Sequence, residues 1–410
     1  MSTFHSGHGM STLAIHHGEH EDALRAHVTP IYQTSTFTFE DVESGAELFR
    51  HKRPGYIYTR LSNPNQVQAV RKIAALEGFD LLRAQPQKAP EELVGGHLFS
   101  NGMAAITTAI LAKASHGQTV IAQRTLYSAT FNFLRNLAPS FGINVVWLSD
   151  PSPEQWERAF AAHPEAVLAV AESPANPTLA LTDLQAVAEI AHRYGAWVMV
   201  DNTFATPFCQ RPLTLGCDLV VHSTTKYLSG HGAVVGGAVV SPHLDFVQNE
   251  LRKTLETLGG SAAPFDAWLT SMGLKTFELR MKAHCQNAHQ VAQFLSTHPA
   301  VERVFYPALP DHPQHELARR QMYAFGGMVA FELKGGLKAG EAMMNRVRIC
   351  VLAVSLGNLD TLISHPASMT HTTVPAEERR KMGITEGLVR LSVGVENVED
   401  IIADLDQAMR

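Results

Sequence analysis

Cysteine is scarce in this chain. Four thiols, Cys209, Cys217, Cys285 and Cys350, are scattered over 410 residues, and no C-x-x-C occurs. That excludes a disulfide framework and a thiolate metal cluster. It suits a reducing compartment, so a cytoplasmic protein is expected. Neither sign of charge is in large excess: 33 Lys and Arg stand against 39 Asp and Glu, a net charge of −6. There is no basic field for nucleic acid or an anionic membrane surface. Uninterrupted apolar runs of membrane-spanning length are missing. The opening MSTFHSGHGM has no charged segment followed by an apolar one, so no signal peptide is expected. No G-x-G-x-x-G follows the first strand-like run, which disfavours a hydride-transferring dehydrogenase. Histidine is plentiful at 21. His16, His17 and His20 in AIHHGEH have a spacing a metal would accept, but no carboxylate or thiol cluster completes a shell, and no metal is expected.

What is present is a globular composition, 45% hydrophobic and 18% charged, long enough for one large domain and a smaller one. Residues 1–63 are polar, turn-rich and poorly periodic, and read as an arm that wraps another surface. Val67, Val70, Ile73, Ala74 and Leu76 then recur at helical spacing. RAQPQKAPEELVGG reads as a surface loop, and a helix begins just after Gly102. Short Val- and Ile-rich runs follow: TVIAQ (119–123), INVVWLS (143–149), AVLAVAES (166–173), AWVMVDN (196–202), DLVVHS (218–223) and GAVVS (237–241). Helix-like stretches separate several of them. The alternation predicts βαβ units, hence an α/β protein with a mostly parallel sheet covered on both faces. Past residue 275 the texture changes. LKTFELRMKAHCQNAHQVAQFLSTH reads as a long helix. VERVFYP, GGMVAFELKGG, AVSLG and LVRLSVGVEN read as strands, and EDIIADLDQAMR as a final amphipathic helix. The expected division is an arm (1–63), a large domain (64–275) and a small α+β domain (276–410).

Polar residues close the apolar runs, among them Glu172, Asp201 and Ser223. Ligands bind outside the carboxyl ends of the strands in such sheets. VVHSTTKYLSGHG ends a buried strand with hydroxyls and Lys226. A desolvated lysine is a nucleophile toward carbonyls, and pyridoxal phosphate is the cofactor held in this way, as a Schiff base. It needs a carboxylate at its ring nitrogen, a phosphate cradle and a flat face. Asp201 suits the first. The helix start at Gly102 and Met103, with the Ser223 and Thr225 hydroxyls, suits the second. Tyr127 suits the third. Each sign alone is weak, since a strand-end Asp is more often a cap and a helix-start Gly a loop residue. Together in one α/β chain they point to one crevice.

ESPANPTL, VDNTFATP, DLVVHSTTKYLSGHG, GLKTFELRM, HPASMTH and EGLVRLSVGVEN, in that order, resemble the pyridoxal-phosphate enzymes of cysteine and methionine metabolism. That family includes methionine γ-lyase, cystathionine γ-lyase, cystathionine γ-synthase and O-acetylhomoserine sulfhydrylase. The resemblance runs from AIHHG to the last helix. It implies fold type I, like aspartate aminotransferase, with a seven-stranded type of sheet and a smaller C-terminal domain. It implies Lys226 as Schiff-base lysine and proton shuttle, Asp201 at the pyridinium nitrogen and Tyr127 stacked on the ring. Gly102, Met103, Ser223 and Thr225 would hold the phosphate, with Tyr58 and Arg60 reaching in from a neighbouring subunit. Arg390, with Asn176 and Ser355, would bind the substrate carboxylate. A homotetramer built from dimers that share active sites is the implied assembly, and a small sulfur amino acid the implied ligand. The implied reaction is γ-elimination from methionine, cystathionine or homocysteine, giving 2-oxobutanoate, ammonia and a thiol. The alternative is γ-replacement on an O-acyl homoserine. The chain departs from the methionine γ-lyase pattern at Ala129, where a reactive cysteine is common, and at Leu255 and Glu256, where a Lys-Asp pair is common. Ala233 stands where the family usually has Asp, and the 82–96 segment lengthens a loop.

Overall fold

The Val- and Ile-rich runs are apolar throughout because both faces of each strand are covered. In the computed structural model, which describes residues 7–19, 22–50, 52–369 and 383–410 together with 372, 377 and 379, they form one sheet. Its strands are β1 (Gly95–Phe99), β2 (Thr119–Gln123), β3 (Asn144–Leu148), β4 (Leu168–Glu172), β5 (Trp197–Asp201), β6 (Leu219–His222) and β7 (Gly237–Ser241). The order is β1-β7-β6-β5-β4-β2-β3. Only β7 runs against the others, antiparallel to both β6 and β1. Alternate residues go to opposite faces. Val120, Val170 and Val221 pack with Ile106 and Ile110 of the helix Gly102–Lys113. Val220 and Val240 pack with Ile73 and Leu76 of the helix Pro64–Glu77. The class is α/β, as the alternation of runs predicts.

A second sheet, in the order β10-β11-β12-β9-β8, contains β8 (Val301–Phe305), β9 (Met328–Leu333), β10 (Val351–Leu352), β11 (Leu362–Ser364) and β12 (Leu388–Ser392). It shares a core with the long helix Phe277–Thr297 and the final helix Val398–Met409, through Val291, Leu295, Phe331, Leu391 and Leu405.

Three local expectations change. The GG of GGHLF reads as loop, yet it opens β1. A Cβ on Gly96 would lie 2.3 Å from the Val239 carbonyl oxygen, so glycine here marks close backbone approach rather than a turn. AVSLG is not a strand. The chain leaves β10 at Leu352, and Ser355 has φ of 104°, a left-handed conformation costly for a non-glycine residue. The 1–63 segment is not arm throughout. Met10, Leu13 and Ala14 of the helix Met10–His16 are in the core, and the buried Lys72 Nζ donates to the Ala14 and Ile15 carbonyls at 2.9 and 2.7 Å. Farther along, Leu24 and Val42 are 90% and 91% exposed. Among the described residues no group of His, Cys, Asp and Glu is placed to hold a metal, and His20 lies outside those residues. No described helix is long and apolar enough to cross a membrane.

Candidate active site

Glu172 and Asp201, which end β4 and β5, and Ser223, just after β6, open onto a cavity of about 570 Å³. Glu172 and Asp201 are register partners at adjacent strand ends. Glu172 is buried, and both its oxygens accept backbone N–H groups: Tyr127 at 2.6 Å and Asn176 at 2.8 Å. Burial, and secondarily the Asp201 charge, pushes its carboxyl up to about 8. Burial also raises Asp201; the Thr203 hydrogen bonds, including its N–H at 3.0 Å, and the His222 imidazole pull the other way. Among the described residues no cation is paired with Asp201. Two buried acids side by side call for a positive group between or beside them.

The loop after β6 carries the lysine. The Ser223 N–H donates to Thr203 Oγ1 at 2.9 Å, which ties this loop to the one after β5. Lys226 Nζ donates to Ser355 Oγ at 2.8 Å. Burial, and then the Arg390 charge, lowers its ammonium to about 8. Arg390, on β12, donates from Nη1 to Asn176 Oδ1 at 3.0 Å and from Nη2 to the Ser355 carbonyl at 2.9 Å. Burial lowers it to about 10, so it stays charged at neutral pH. The left-handed Ser355 thus offers its hydroxyl to the lysine and its carbonyl to the arginine.

On the opposite wall, Asn101 caps the helix Gly102–Lys113 by accepting from the Ala104 N–H at 2.8 Å. The first N–H groups of a helix have no intrahelical acceptor, so those of Gly102 and Met103 remain for an anion. A Cβ on Gly102 would lie 2.9 Å from Ser223 Cβ. The missing side chain lets the helix end approach the serine loop. Tyr127 is 44% exposed and lines the cavity, leaving a ring face for a planar group.

Lys226, Tyr127, Asp201, Gly102, Met103, Ser223, Thr225, Asn176, Ser355 and Arg390 all line this one cavity. Tyr58 and Arg60 do not. The Arg60 guanidinium stacks over the Tyr58 ring at 5.8 Å and donates to the Glu256 carbonyl of its own chain. Lys226 and Arg390 are the cavity's only Lys or Arg among the described residues. Glu172 was legible as a strand end, but its link between Tyr127 and Asn176 was not, because both partners are backbone groups.

From residue 11 to residue 410 the sequence matches the family model described as Cys/Met metabolism PLP-dependent enzyme. The chain belongs to that family. It is 48% identical to the L-methionine gamma-lyase of Porphyromonas gingivalis, over 98% of this chain and 97% of that protein. It is 43% identical to the L-methionine gamma-lyase of Pseudomonas putida, over 98% and 97%. In structure it is similar to cystathionine gamma synthase from Xanthomonas oryzae pv. oryzae, with a TM-score of 0.89 and 38% identity over 98% of each chain. The fold is that of the family's type I enzymes, and the cofactor is pyridoxal 5′-phosphate.

The cavity suits that cofactor on its own terms. It holds a buried acid without a cation, a lysine of lowered basicity, and an open aromatic face. A helix end is brought against Ser223 by a glycine that leaves no room for a Cβ. Replacing Glu172 by Ala should test how the walls are joined. It deprives two backbone N–H groups of their acceptor, each worth about 1–3 kcal/mol when buried. We expect a melting temperature lower by several degrees and a raised KM with a smaller change in kcat, measured by thermal unfolding and steady-state kinetics.

Proposed function

We propose that the protein is a C–S lyase that removes the γ substituent of L-methionine, L-cystathionine or L-homocysteine, yielding 2-oxobutanoate, ammonia and a thiol. The observation that carries this reading is full-length identity of 43–48% to proteins named L-methionine gamma-lyase. Bound in the cavity, pyridoxal phosphate supplies an aldehyde for an amine and a ring that takes up electron density. Lys226 would be the amine that holds it, Asp201 would serve its ring nitrogen and Tyr127 its ring. Gly102, Met103, Ser223 and Thr225 would hold its phosphate.

Arg390 clamps the α-carboxylate of the amino acid with a two-pronged donor set that a lysine cannot copy. Asn176 and the Ser355 carbonyl hold that guanidinium in place. Lys226, freed when the substrate's own amine takes its place, would remove a proton from Cα, release it and, neutral again, remove one from Cβ; the γ C–S bond would break as that second proton leaves, and the departing sulfur would take up a proton. A basicity near 8 lets one amine both take and return protons near neutral pH.

Likeness to cystathionine gamma synthases and the departures at Ala129, Leu255 and Glu256 favour a second reading, γ-replacement. A substrate panel separates the two. Methionine, cystathionine, homocysteine, and O-acetylhomoserine with sulfide are offered separately, and 2-oxobutanoate and, in the last case, homocysteine are measured. We expect 2-oxobutanoate to dominate; mainly homocysteine from O-acetylhomoserine and sulfide would overturn elimination.

We also infer that the working unit is a dimer that exchanges arms, within a homotetramer. A phosphate dianion bound only by hydroxyls and N–H groups lacks a counter-charge, and Arg60 lies on a segment with exposed apolar residues. Mixing Lys226→Ala and Arg60→Ala subunits tests this. If Arg60 acts across the interface, each mixed dimer regains one intact site, and statistical mixing restores about a quarter of wild-type activity. If it acts within its own chain, mixing restores nothing.

A further inference from the structure

Outside the cavity, beside Tyr227, two thiols lie together. Cys209 ends the short helix Thr206–Cys209, which follows β5 and its terminal Asp201. Cys285 lies on the long helix Phe277–Thr297, which packs on the second sheet. They are 76 residues apart in sequence, yet their sulfurs are 3.7 Å apart and share a hydrogen bond. Cys217 and Cys350 are buried free thiols, and neither has a sulfur partner among the described residues.

The two neighbours are unequal. Cys285 is partly exposed, whereas Cys209 is fully buried. The hydrogen bond from Cys209 favours the Cys285 thiolate and lowers that thiol against the opposing effect of burial. Burial, then the Cys285 neighbour, raises Cys209 well above the usual range. A partly exposed thiol whose ionised form is favoured, 3.7 Å from a buried second thiol, is the arrangement of an attacking and a resolving cysteine.

We propose that Cys285 and Cys209 form a peroxide-sensitive dithiol that closes to a disulfide between the short helix Thr206–Cys209 and the long helix Phe277–Thr297. The Cys285 thiolate attacks hydrogen peroxide. An S–O bond forms as the O–O bond breaks, hydroxide leaves, and the sulfur loses two electrons to the peroxide. Cys209 sulfur then attacks the sulfenic sulfur. The S–S bond forms, the S–O bond breaks, and the hydroxyl departs as water with the Cys209 proton. From 3.7 Å the sulfurs must approach by roughly 1.7 Å to bond.

The test uses the purified protein loaded with pyridoxal phosphate, treated with graded hydrogen peroxide, alkylated and digested. We expect two of the four thiols to disappear together, with a cross-linked Cys209–Cys285 peptide two hydrogens lighter than its parts, and dithiothreitol to restore both. In Cys209→Ser, Cys285 should instead be trapped as a dimedone adduct. In Cys285→Ser, Cys209 should stay reduced. The proposal is overturned if wild-type Cys285 is labelled by dimedone as strongly as in Cys209→Ser. It is also overturned if Cys285 oxidises no faster than Cys217 and Cys350. The cross-linked peptide is read on the unaltered protein, so poor folding of either variant does not decide the result.

Discussion

Lys226→Ala should lower kcat/KM by about 10⁴-fold or more, because one side chain supplies both the cofactor anchor and the proton acceptor. The fold should survive. Nζ makes a single hydrogen bond, to Ser355 Oγ, and loss of a partly buried ammonium relieves a desolvation cost. The visible absorption band that the cofactor gains on joining the lysine should vanish as well. Retention of that band in the variant would mean that another amine holds the cofactor. The pH dependence follows from the same environment. Burial and Arg390 lower this ammonium from 10.5 to about 8, and the neutral amine is the form that captures an aldehyde. At pH 7 about one tenth of it is neutral, against roughly one part in three thousand for an ordinary lysine. Loading of cofactor-free protein should therefore speed up nearly tenfold per pH unit below 8 and level off above it, followed by stopped-flow absorbance.

Arg390→Lys should cost about 2–4 kcal/mol in kcat/KM, roughly 30- to 1000-fold, although the charge is kept. The guanidinium already spends one nitrogen on Asn176 and one on the Ser355 carbonyl. Its remaining donors can still face a carboxylate in a fixed plane. An ammonium has three donors at one point and cannot hold both walls and the substrate. The loss should fall mainly on KM. Cofactor binding should change little, since none of the proposed cofactor contacts involves Arg390. An equal loss in cofactor affinity, read by fluorescence titration, would place Arg390 on the phosphate instead.

Much of this site could be read along the chain. Lys226 is conspicuous because a lysine is out of place at the end of a buried strand. Asp201 and Glu172 stand out for the same reason. Their convergence follows from parallel topology, which brings strand ends to one edge. Other features are not local. β1 opens on two glycines, and local propensity reads these as a turn; only the nearness of the Val239 carbonyl explains them. AVSLG has the composition of a strand, but Ser355 is bent out of one to meet Lys226 and Arg390. The seven-residue helix Met10–His16 is too short to show a clear period and reads as part of the arm.

The sequence by itself determined the fold class, the cofactor and the residues that bear charge at the strand ends. Apolar periodicity and out-of-place polar groups are local features, and each carries its physical cost wherever the chain goes. Only the tertiary structure decided which backbone groups Glu172 joins, and which left-handed residue serves both Lys226 and Arg390. It alone brings two thiols 76 residues apart to 3.7 Å. Those depend on distances between segments, which packing fixes and no local pattern encodes.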